Sequence, residues 1–244
     1  MKIIILFAFL AIFSISCTSQ NAENSTLSLA EVNAKGALQE VMLNGNLKAN
    51  ILIDTLEKQG LMGVGPLGRL QGEITILDGK AFVTRIDSAG NPMAVEADSL
   101  QAPFFAYANV SNWQTFGFLK EVRDLPSLQA AIEELATIVG YDLTKPFPFH
   151  IKGKVNKAGY HIISKPTDEL EHSHDLHKAA KVNFDVEEEE IILVGFYSQA
   201  HQGVFIHMGD FIHIHIILPN GNITGHLDEI TARANTLELW AGLM

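Results

Sequence analysis

The stretch Phe211-Ile212-His213-Ile214-His215-Ile216-Ile217-Leu218 places two histidines two residues apart in an apolar, mostly β-branched run. On an extended strand residues i and i+2 leave the same face, so both imidazoles point the same way. Pro219-Asn220-Gly221-Asn222 reads as a turn, after which residues 223–227 return antiparallel and carry His226 toward that face. Three neutral imidazole nitrogens converging with a position left open form the donor set of a catalytic zinc or similar divalent site. An apolar core would have to satisfy each of these bases separately, so the grouping points to a metal rather than to packing.

Other polar clusters read differently. Glu171-His172-Ser173-His174-Asp175-Leu176-His177 has histidines three apart, but it has the character of a polar connection, where solvated histidine is ordinary. His201 and His207 precede the histidine strand, and their alternatives stay open: extra ligands, donors at a pocket mouth, or surface residues. The acidic run 187–190 is a solvated edge or loop. Gly63-Val64-Gly65-Pro66-Leu67-Gly68 lacks the Gly-Lys-Ser/Thr ending of a phosphate loop and reads as a loop of close backbone packing.

The elements that must position the histidines are mostly strands. Asp78-Gly79 joins residues 74–77 to 81–86 as a hairpin, and residues 104–110 are a further strand. Residues 147–153 and 160–164 suggest a second hairpin, and residues 191–197, 204–207 and 211–218 lead into the histidine motif. Leu128, Ala131, Ile132, Leu135 and Ile138 recur at helical spacing before Gly140, which marks a helix over 125–139. Residues 47–58 fit an amphipathic helix with Leu47, Ile51, Leu52 and Leu56 on one face. Ser28 and Glu31 have capping-box spacing, while residues 32–41 read equally as helix or strand. The fold class is α+β, with mainly antiparallel β-sheets and flanking helices.

At 244 residues, with 47% hydrophobic residues, the chain can bury a large core. A net charge of −11 repels phosphate backbones, so no nucleic-acid partner is expected. Lys2 and the apolar run 3–13 have the form of a secretory signal, too short for a spanning helix. Ser14-Ile15-Ser16-Cys17 resembles a bacterial lipobox. The expectation is a signal peptide over residues 1–16, a lipidated Cys17 with a polar tether to residue 27, and a folded domain over 28–244. The protein would then be exported and touch a membrane only through its lipid anchor, with homodimer formation left open.

Several separated stretches together resemble the α-acetolactate decarboxylase family. They are Gly63-Val64-Gly65 with Leu70-Gln71-Gly72-Glu73-Ile74-Thr75-Ile76-Leu77-Asp78-Gly79-Lys80, Ala102-Pro103-Phe104-Phe105-Ala106, Leu193-Val194-Gly195-Phe196-Tyr197-Ser198, and His213-Ile214-His215 with Gly225-His226-Leu227. The resemblance implies a two-lobed domain and a zinc or other divalent ion on His213, His215 and His226. It also implies metal-dependent decarboxylation of 2-acetolactate (2-hydroxy-2-methyl-3-oxobutanoate), or a related small hydroxy-keto acid, to acetoin and carbon dioxide. Glu73 matches a family glutamate near the metal, which implies proton transfer or the orienting of a ligand.

The sequence also departs from the family. His150, in Phe149-His150-Ile151-Lys152-Gly153, stands where the family carries the arginine that grips the substrate carboxylate. A neutral imidazole cannot form that bidentate, permanently charged clamp, so His150 would have to be protonated to replace it. Pro66 replaces a threonine, and the family's longer carboxyl tail, with its glutamate, has only Glu238 as a substitute. The alternative function is a non-catalytic zinc- or ligand-binding lipoprotein on the same scaffold.

Overall fold

The computed structural model describes residues 28–244 except residues 98 and 170. The expected signal peptide, Cys17 and the tether lie outside the described residues. The chain first forms β1 (Asn33–Lys35), α1 (Leu38–Asn44), β2 (Ile51–Leu52), β3 (Leu61–Pro66), β4 (Glu73–Leu77), β5 (Lys80–Ile86), β6 (Pro92–Ala94), β7 (Gln101–Ala102) and β8 (Phe105–Asn109). Six of these strands make one antiparallel sheet in the order β1-β8-β3-β4-β5-β6, and β2 pairs with β7. There follow β9 (Asn112–Phe118), α2 (Leu125–Ile138), β10 (Phe147–Lys154), β11 (Lys157–Ile163), α3 (His174–Ala179), β12 (Lys181–Glu187), β13 (Glu190–Tyr197), β14 (Ile212–Leu218), β15 (Ile223–Thr231) and β16 (Leu237–Leu243). Their strands form an eight-stranded antiparallel sheet in the order β12-β11-β15-β14-β13-β10-β16-β9.

Alternation along the strands sorts side chains between layers. Met62, Val64, Ala106 and Ala108 of the smaller sheet pack with Val194, Phe196 and Ile217 of the larger one. On the far side of the larger sheet, Leu128, Ala131, Ile132 and Ala136 of α2 cluster with Phe149, Leu193, Ile214 and Ile216. The architecture is therefore smaller sheet, larger sheet, helix, and it has the α+β, mainly antiparallel character read from the sequence.

Local chemistry explains the elements that were legible. Asp78 and Gly79 have φ of 50° and 78°, the pair of left-handed residues that a tight hairpin turn needs, and Leu77 pairs with Lys80 across it. The α2 helix starts at Asp124, whose carboxylate accepts from Ser127 N–H while the Ser127 hydroxyl accepts from Asp124 N–H. In residues 28–41 the strand β1 is followed by α1, which ends at Gly45 in the left-handed region.

Four readings of the sequence are corrected. Residues 47–58 are not a helix: β2 and a short 3-10 turn over Ile53–Thr55 occupy them. Ile51 pairs with Ala102, and Ile53 N–H donates to Leu100 O, so tertiary pairing overrides the local periodicity. Residues 63–66 belong to the buried strand β3 rather than a loop, although the close packing is real, since a Cβ on Gly63 would lie 2.4 Å from the Phe105 ring. The strands near 147–153 and 160–164 exist, but β10 pairs with β13 and β16 while β11 pairs with β12 and β15, so they form no hairpin. Residues 204–207 turn instead of extending, because the His201 carbonyl accepts from the N–H groups of Val204, Phe205 and Ile206.

Candidate metal centre

Strand β14 divides its side chains cleanly. Ile214 and Ile216 go to the α2 side, and His213 and His215 are buried on the side of the smaller sheet. The turn returns β15 in the register that sets Leu218 opposite Ile223 and His215 opposite His226. One nitrogen from each of His213, His215 and His226 lies within 4.8 Å of the others. The predicted triad is thus brought together. Its donor set suits a divalent metal, and His213 Nδ1 is buried without a hydrogen-bond partner, which a bound cation would satisfy.

The facing sheet orients this triad. On β4, Ile74 and Ile76 pack in a separate apolar cluster, and Glu73 and Thr75 alternate with them at the centre. Thr224 Oγ1 donates to Ile216 O (2.9 Å), so it accepts from Thr75 Oγ1 at 2.5 Å. Thr75 has then used its hydrogen and must accept from His215 Nδ1, 2.9 Å away. This chain of donors puts the His215 proton on Nδ1 and leaves Nε2 with the lone pair that metal ligation requires. Nε2 is the atom facing Glu73, 3.8 Å from Oε2.

Burial sets the protonation states. It drives His213 down to about 3, with His207 adding to the effect and the Phe205 carbonyl opposing it. It likewise holds His215 and His226 well below the ordinary imidazole range, so all three are neutral, as ligands must be. Burial pushes Glu73 up to about 8, against the opposing Ile163 N–H and Lys181. The Ile163 N–H donates to Glu73 Oε1 at 3.2 Å, so Oε2, the oxygen beside His215, is the one left to carry a proton.

The remaining candidates fall in different places. His207 lines the cavity, its ring centroid 5.4 Å from that of His226. His201 does not line it: its Nδ1 is 2.7 Å from Ser198 Oγ and its ring stacks on Phe205. Glu238 lies three strands from β14, accepting from Thr115 Oγ1 at 2.9 Å. His150 shares a face with His215, but Val194 stands between them in the row and the structure does not bring His150 to the cavity. It packs instead between Trp113, at 4.3 Å, and Trp240, at 6.0 Å between ring centroids. The segment read as a polar connection is also more than that, since Ser173 caps α3 and His177 is buried on the cavity wall.

His161, Asp228, Lys181 and Thr75 escaped the sequence reading as site residues. His161 and Lys181 line the cavity, and Asp228 lies 2.6 Å from His161 Nδ1. Asp228 and Thr75 follow His226 and Glu73 by two residues, a legible signal for a shared strand face. His161 gives no such signal, being a lone histidine among Tyr160, Ile162 and Ile163 until β11 is paired with β15.

The fold and this centre together define a class: two stacked sheets with a three-histidine site, suited to a metal, held between them. The profile of the alpha-acetolactate decarboxylase family matches residues 35–241, and the chain belongs to that family of carboxy-lyases. Among solved structures, the alpha-acetolactate decarboxylase of Bacillus subtilis strain 168 is similar at 16% identity and a TM-score of 0.68, over 87% of this chain and 86% of that one. Acetolactate decarboxylase from Bacillus subtilis subspecies spizizenii gives 17% identity and a TM-score of 0.67, with 87% of each chain covered. A Staphylococcus aureus protein of unknown function, described as similar to alpha-acetolactate decarboxylase, gives 17% identity and a TM-score of 0.66 over 86% of this chain and 85% of that one. Searched against curated proteins, the chain has no match.

Proposed function

We propose that this protein decarboxylates 2-acetolactate, or a closely related small hydroxy-keto acid, to acetoin and carbon dioxide, using zinc or another divalent metal held by His213, His215 and His226. The observation that carries this reading is the convergence of three neutral imidazoles beside a buried, protonatable glutamate. When bound, the metal supplies an electron sink for the charge left on carbon as the carboxylate departs. Thr75 and Thr224 hold His215 in the ligating tautomer. Glu73 carries its proton on Oε2 and delivers it to the carbon that has lost carbon dioxide. Lys181, the only lysine or arginine among the described residues lining the cavity, meets the substrate carboxylate in place of the family arginine. His150 has no part in this scheme.

The experiment is an assay of zinc-loaded protein on acetolactate with acetoin as the readout. Acetoin formation that requires zinc is expected. Zinc binding without any acetoin would favour the non-catalytic alternative. We also propose an exported, lipid-anchored setting, supported by Lys2, the apolar run and the lipobox-like Ser14 to Cys17. Cys17→Ser should move the protein from the membrane fraction to the soluble fraction.

A further inference from the structure

The scheme above leaves a buried histidine and its half-buried carboxylate partner without a task. His161 lies on β11 directly opposite His226 and lines the cavity, its ring centroid 4.9 Å from that of His226. Its Nδ1 is 2.6 Å from Asp228 Oδ2. A bulge puts Asp228 there: Gly159 faces Glu229 and Tyr160 faces Leu227, so Asp228 is the extra residue of β15 and is turned toward the imidazole. Lys181 Nζ lies 3.7 Å from the other carboxylate oxygen.

A carboxylate can only accept, so the shared hydrogen resides on His161 Nδ1. With the hydrogen fixed on Nδ1 by the carboxylate, the neutral imidazole presents the lone pair of Nε2 on the opposite side of the ring. Among the described residues no group hydrogen-bonds to that nitrogen. His161 is also outside the group whose nitrogens converge within 4.8 Å. It is therefore a fixed acceptor on the cavity wall, beside the triad rather than in it. An acceptor lone pair repels a carboxylate and a keto oxygen but matches an O–H.

We propose that His161, held by Asp228, accepts the hydrogen bond of a 2-hydroxy acid's hydroxyl at the triad, and so selects hydroxylated acids over their deoxy counterparts. This deepens the decarboxylase reading, on which it rests for the class of ligand. In that reaction His161 would touch the substrate, and Asp228 would act through it as a positioning residue.

The test measures binding of two inert probes, 2-hydroxy-2-methylpropanoate and 2-methylpropanoate, to the zinc-loaded protein by calorimetry, together with zinc affinity. In His161→Phe the preference for the hydroxy acid should fall about tenfold while zinc affinity is unchanged, the size expected for one hydrogen bond. His161→Gln, whose amide oxygen restores an acceptor, should recover part of the preference. Asp228→Asn provides an independent variant should His161→Phe not fold: its amide can donate to Nδ1 and shift the proton to Nε2, so the preference should again fall. An unchanged preference in the folded variants would overturn the proposal, as would loss of zinc in His161→Phe, which would make His161 a ligand. If wild type makes no acetoin yet the preference falls as described, the decarboxylase reading fails and this inference stands.

Discussion

His215 and His150 occupy the same row on the same face of one sheet, and only one of them belongs to a site. The row runs Trp240, His150, Val194, His215, His226, His161 across adjacent strands. At His215 the facing sheet supplies Thr75 and Glu73, so one ring nitrogen is hydrogen-bonded and the other is aimed into the cavity. At His150 both ring nitrogens are buried without partners, as is Trp240 Nε1, and the neighbours are two indoles. A buried imidazole becomes chemistry when a second layer fixes its tautomer and direction; without one, it is a polar group in an aromatic cluster.

The sharpest way to break this comparison is to remove one histidine from each environment. His215→Ala should lower zinc affinity by more than the roughly 10–100-fold typical of an outer-layer change, whereas His150→Leu should leave the bound zinc unaltered. Elemental analysis and chelator competition on both variants check this. Equal losses would mean that the two environments are one site.

Glu73→Gln tests the acid on the cavity side. It keeps the shape and an acceptor for Ile163 N–H but has no acidic proton, so kcat should fall by roughly 10²- to 10⁴-fold with zinc retained. Steady-state acetoin formation measures it, and an unchanged kcat would remove Glu73 from the proton path.

A smaller effect should come from Thr75→Val, which keeps the branched shape and deletes the hydroxyl that orients His215. Zinc affinity should fall about 10–100-fold while the fold survives, since no ligand is lost. Full affinity in this variant would show that the facing sheet does not set the tautomer.

The smallest effect concerns stability at the other end of the row. Burial lowers His150 to about 3, with Lys152 adding to the effect. The folded state therefore holds this ring neutral while the unfolded chain protonates below about 6.5. Its contribution is intact above that pH and is lost as pH falls toward the folded value. Between pH 7 and pH 5 the His150→Leu variant should lose about 2 kcal/mol less stability than wild type. Urea unfolding at the two pH values checks this, and parallel losses would mean that His150 stays solvated.

The sequence alone determined what depends on neighbours along the chain. The two-residue spacing of His213 and His215, the turn over 219–222 and the Asp78-Gly79 hairpin dictate strand faces and returns through backbone geometry, and the triad followed from them. The helix before Gly140 was legible for the same reason. Pairing partners distant in the chain were decided only in three dimensions: Ile51 took a strand partner at Ala102, and β10 and β11 went to separate neighbours. The same holds for the cavity wall. His161 faces His226 only because β11 joins β15, and Thr75 meets His215 only because the two sheets stack. His150 shows the converse, since a residue singled out by its place in the family pattern was left outside the cavity by the strand that lies between. Local spacing fixes the direction of a side chain, and tertiary packing fixes what it meets there.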